Sequence, residues 1–82
     1  MPGSLDVWLS LASASGRLGL HEEARDALVH ARRLAPASAE IAVNLGREMQ
    51  ALGDATRALE LFVEAATLDP THANAYLNAA DV

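Results

Sequence analysis

Displaced by 34 positions, the chain falls on itself. Leu11 lands on Leu45, Leu18 on Leu52, Gly19 on Gly53, Ala24 on Ala58, Ala31 on Ala65, Leu34 on Leu68 and Pro36 on Pro70. Related residues fill the gaps: Leu9 with Val43, Asp26 with Glu60, Leu28 with Phe62, and Trp8 with Ala42 and then Tyr76. A period of this size marks a supersecondary unit that cannot bury its apolar face alone and must stack on its neighbours. Two complete units occupy 5–38 and 39–72, and 73–82 begins a third.

Within each unit the spacing predicts two helices. Ser4 and Ser38 stand where a serine oxygen can accept an orphan backbone N–H. Asp6 and Glu40 follow in the first turn, where a carboxylate meets the positive end of the helix dipole. Ile41, Leu45, Met49 and Leu52 form a stripe at helical spacing, and Gly53 ends it. Asp54 and Thr56 are available to cap the next helix, which presents Ala58, Leu61, Phe62, Ala65 and Leu68 on one face. Asp69-Pro70 closes that helix, because a residue before proline is pushed out of helical geometry. The first unit follows the same plan, with Gly19 as the break and Ala35-Pro36 as the stop. Composition agrees. Hydrophobic residues make up 51% of the chain, yet Trp8, Phe62 and Tyr76 are its entire aromatic set. The core must be Leu, Val, Ile and much Ala, the best helix former. Val and Ile never alternate over a strand length, so the chain is expected to be all-α.

These residues resemble the tetratricopeptide repeat, whose pattern runs W-x₂-L-G-x₂-Y, then A-x₃-F, then P. The first unit supplies Trp8, Leu11, Ala12 and Ser15, then Ala24 and Leu28, then Pro36. The second supplies Ala42, Leu45, Gly46 and Met49, then Ala58 and Phe62, then Pro70. The third opens with Tyr76, Ala79 and Ala80. The resemblance implies an α-α superhelix. Five antiparallel helices are expected, in two full helix–turn–helix repeats over 5–38 and 39–72 plus the first or capping helix of a third over 73–82. Two departures stand out. Ser15 fills the Tyr slot and Gly16 follows it, which makes the first helix intrinsically weak. The end at Asp81-Val82 lacks the polar outer face of a terminal repeat, so the chain reads as part of a longer array.

Little in the sequence points to catalysis. His21-Glu22-Glu23-Ala24-Arg25 imitates the opening of a zinc-protease motif, but Arg25 stands where the second His is needed, so His21 reads as part of a solvated helix start. His30 and His72 have no partner at ligand spacing. Glu22-Glu23 and Arg32-Arg33 fall at opposite helix ends, where the dipole favours each sign. No glycine-rich phosphate loop is present. The chain has no cysteine and a net charge of −5, and every basic residue is Arg. No enzyme activity, metal, cofactor, nucleic-acid or membrane partner is therefore expected, and the expected location is cytoplasmic.

The resemblance also implies a binding surface, because first helices of successive repeats line a concave groove in this family. Groove-facing positions would be Asp6, Leu9, Ser10, Ser13 and Arg17, then Glu40, Val43, Asn44, Arg47 and Gln50, then Asn74, Leu77, Asn78 and Asp81. Asn44 and Asn78 stand 34 apart and would stack as an amide ladder able to hold an extended peptide backbone. The carboxylate clamp of one family branch is excluded: its lysines are missing, and only Asn44 matches its pattern. The expected function is a protein-interaction module binding a protein or peptide segment. The alternative is a structural segment that forms a homo-oligomer through exposed helical edges at 5–18 and 73–82.

Overall fold

The computed structural model describes residues 4–71. Among them the chain forms four helices and no strand: α1 (Leu5–Arg17), α2 (His21–Leu34), α3 (Ala39–Ala51) and α4 (Ala55–Leu68). The fifth helix expected over 73–82 lies outside the described residues, and with it the third unit.

The helix ends follow from a few residues. Gly19 and Gly53 adopt φ of +78° and +90°, a left-handed conformation that L side chains resist. Around Gly19, Leu20 N–H donates to Ser15 C=O at 2.8 Å and Gly19 N–H to Gly16 C=O at 3.1 Å. Around Gly53, Asp54 N–H donates to Met49 C=O at 2.9 Å and Gly53 N–H to Gln50 C=O at 3.1 Å. This is the Schellman pattern twice, and it satisfies carbonyls that the helix cannot pair internally. At the N-termini, Ser38 Oγ accepts from Ile41 N–H at 3.3 Å and Asp54 Oδ1 from Arg57 N–H at 3.0 Å. Ser4 occupies the equivalent place before α1, but its side chain makes no capping bond. Thr56 lies inside α4 and leaves the capping to Asp54. Despite Ser13, Ser15 and Gly16, α1 continues unbroken to Arg17, and Ser15 is buried where the repeat pattern has Tyr.

Helices pack in chain order, α1 on α2, α2 on α3 and α3 on α4. Two apolar clusters result. Ala27, Leu28 and Ala31 of α2 meet Ala12 of α1, Ile41 and Leu45 of α3 and Leu61 of α4. The second cluster joins Ala39, Ala42 and Val43 of α3 to Ala58, Phe62 and Ala65 of α4. Trp8 closes the edge of the first by stacking on His30, with ring centroids 4.3 Å apart and planes 15° from parallel. Fully covered side chains such as Leu45 and Leu61 each contribute about 1.5–3 kcal/mol.

Gly46 sets the closest approach. A Cβ there would lie 2.7 Å from Phe62 Cε1 and 3.0 Å from Cδ1. Alanine in a helix interior is intrinsically better than glycine by about 1 kcal/mol. Overpacking costs about 1–3 kcal/mol, and the Phe62 ring is buried and cannot swing aside. The steric term should win. Gly46→Ala is therefore expected to lower the thermal midpoint followed by circular dichroism, whereas in a Phe62→Leu background the same change should be neutral or stabilising. An equal shift in both backgrounds would refute the steric account.

Candidate functional site

α1 and α3 both rest on α2, and the space they leave between them is a cleft of about 570 Å³. One wall is built from Leu9, Ser13 and Arg17, each four residues after the last on α1. The facing wall carries Glu40, Asn44 and Arg47 of α3. Ala12 and Leu28, both buried, contribute apolar surface between the walls. Asn44 is half-buried, while Arg17 and Arg47 are exposed. The cleft thus combines an apolar lining with an amide and two guanidinium groups. Along α3 the wall changes from carboxylate through amide to guanidinium over seven residues, about 10 Å of helix.

Six of the residues assigned to a groove from sequence line this cleft: Leu9, Ser13, Arg17, Glu40, Asn44 and Arg47. Val43 does not. It is only 4% exposed and belongs to the α3–α4 cluster, because that side of α3 is turned into the second unit. Gln50 is exposed but outside the cleft, as are Asp6 and Ser10. Asn74, Leu77, Asn78 and Asp81 lie outside the described residues.

The same cleft holds a feature that sequence reasoning missed. His21 Nδ1 lies 2.6 Å from Glu48 Oε1, joining the first turn of α2 to the last third of α3. An imidazole N–H at Nδ1 can donate to a carboxylate oxygen, which accepts. His21 opens α2 with its side chain 39% exposed, and this contact adds a partner that its reading as part of a solvated helix start did not include. Gly16 makes the room: a Cβ there would stand 3.3 Å from Glu48 Oε2. The one available signal was a glycine three residues before the Gly19 break, still inside the last turn of α1, where it carries a propensity penalty. A second bridge joins the two units elsewhere. Arg32 donates through Nε to Glu64 at 3.0 Å and through a second nitrogen to the other carboxylate oxygen. Arg32 therefore does more than complement the dipole at the end of α2.

Among the described residues no helix is long and apolar enough to cross a membrane. The family model of the tetratricopeptide repeat matches residues 5–38 and again 39–72. No curated protein matches the chain.

The His21–Glu48 bridge spans the junction between the units, so its removal should loosen them relative to each other. The imidazole side chain is 39% exposed, and solvent screening keeps such a pair to about 0.5–1 kcal/mol. A double-mutant cycle of His21→Ala and Glu48→Ala, read by urea unfolding, should give a coupling energy of that size. Strict additivity of the two substitutions would show that the contact holds nothing together.

Proposed function

We propose, for a chain that belongs to the tetratricopeptide-repeat family, that it is a protein-interaction module taking a peptide or the side of a helix in the cleft between α1 and α3. Repeats of this family generally mediate protein–protein contacts. The observation that carries the cleft reading is its mixed lining. Leu9 and Leu28 offer an apolar seat, while Asn44 and the two guanidinium groups project over it. Asn44 has both donor and acceptor capacity, which suits the backbone of an extended segment. Arg17 and Arg47 favour acidic side chains and can bind them in a bidentate fork. Glu40 repels acid and draws a cation toward the start of α3. A segment with an acidic residue about 10 Å from a basic one therefore fits in one direction better than in the other. A second reading, self-association through helical edges, is favoured by the exposed Val7 and Leu11 of α1 and Leu18 just after it.

The cleft reading is tested with peptides selected from a displayed library on the wild-type chain. Asn44→Ala combined with Arg47→Glu changes only wall residues that are half-buried or exposed. Affinity for the selected peptides should fall at least about tenfold, with helical content retained. Undiminished binding by the double variant would place the ligand elsewhere.

A further inference from the structure

A second groove, of about 630 Å³, opens between α2 and α4 with α3 beneath it, and it shares no lining residue with the cleft. Walls and floor all come from α2, α3 and α4, so the groove is complete within the described residues. Its floor is apolar: Val29 and Met49 are half-buried and Leu45 is fully covered. Its rim holds Arg32, Arg33 and Arg57, half of the basic residues in the chain, against a single acid, Glu64. Three arginines and one glutamate leave +2 here, in a chain whose net charge is −5. Glu64 is already gripped by two nitrogens of Arg32. Arg33 is exposed, and among the described residues no ion pair engages it. Arg57 meets Glu60 at 3.0 Å, with side chains 45% and 61% exposed. Such a surface pair contributes little and can exchange for an incoming carboxylate.

We propose that this groove takes one face of an acidic helix from a different protein, with carboxylates seven residues apart and apolar side chains between them. Charge sets the sign of the partner. Spacing follows from α4: Glu64, the residue that Arg32 holds, stands seven residues after Arg57, about 10 Å along the helix. Carboxylates at i and i+7 of a partner helix are the same distance apart, and its residues i+3 and i+4 point the same way. Those two side chains seat on Val29 and Met49. An extended segment fits less well. No side-chain amide lines the groove to meet its backbone, whereas a helix satisfies its own. The chain does not supply this helix itself. No two of its 11 acids stand seven apart, and Asp81 is the only acid after Asp69. Nucleic acid is disfavoured because the lining has no aromatic side chain on which a base could stack. A lipid surface is disfavoured because the floor is covered rather than projecting. This second surface does not rest on the cleft reading.

Met1 and Met49 are the only methionines, so methyl-labelled methionine puts an NMR reporter on the groove floor. The full chain is titrated with a synthetic helical peptide carrying Glu at i and i+7 and Leu at i+3 and i+4. The Met49 methyl resonance should move while that of Met1 stays. Affinity should fall at least about tenfold when Arg33→Glu and Arg57→Glu are combined. A peptide with Lys at the two Glu positions should show the reverse preference and bind that variant better than the wild type. Should the variant lose helical content, Arg33→Gln with Arg57→Gln takes its place and should show the same loss of affinity for the Glu peptide. A Met49 signal unmoved at millimolar peptide would overturn the proposal. So would an equal response to a scrambled peptide of the same composition, or a stronger one to a DNA oligonucleotide or to anionic phospholipid vesicles.

Discussion

Every contact in this molecule depends on how closely helices can approach, and that distance is set by side chains that are nearly absent. Ala24, Ala31 and Ala65 have no exposed surface, and Gly46 lies directly beneath the Phe62 ring. Small residues at these points let neighbouring backbones come near the short end of the usual interaxial range of about 8–10 Å. Leu28 and Phe62 then fill the spaces left between seams. A chain with three aromatic residues can build a dense interior only this way, by adding many weak dispersion contacts over short distances. The breaks matter for the same reason. Left-handed Gly19 and Gly53 end α1 and α3 abruptly enough for the following helix to return against its predecessor.

α2 is the element on which the rest converges. It packs on α1 and on α3, reaches Glu48 through His21, and reaches Glu64 on α4 through Arg32. Both cleft walls are therefore referenced to one helix, and their spacing is set by buried Ala27, Leu28 and Ala31. The two bridges act at opposite ends of α2, in its first turn and its last. Neither is deeply buried, so each adds modestly to stability, but together they resist rotation of one unit against the other. A partner seated as proposed, across α1 and α3, would contact both units at once, and its affinity would depend on that orientation being held.

Much of the fold was legible because it is written in residue types with one structural meaning. Glycine at positive φ, proline after a helix and Ser38 or Asp54 before one each act through local backbone chemistry, which a linear pattern reveals. The failures share a different cause. Ser4 stands in the same sequence position as Ser38 yet makes no side-chain cap, because the pattern fixes the residue and not its rotamer. Val43 follows the spacing of a groove residue, but whether it faces the cleft or the second unit depends on the rotation of α3 about its axis. The His21–Glu48 and Arg32–Glu64 bridges join residues 27 and 32 apart and have no counterpart one period away. Periodicity hides them, since it detects what recurs, and these contacts occur once.

The same logic separates the two surfaces of the molecule. Within the first helices, the 34-residue translation preserves apolar character along the side by which α3 docks on α2, Val7 with Ile41 and Leu11 with Leu45. On the cleft side it does not: Ser13 becomes Arg47 and Arg17 becomes Ala51. The docking side is constrained because each unit must present nearly the same shape to its neighbour. The cleft side bears no such constraint, so its charges can differ from one unit to the next. In the proposed cleft reading, recognition falls on residues such as Arg17 and Arg47, where the repeat is broken, while the recurring Leu and Ala hold those residues in place.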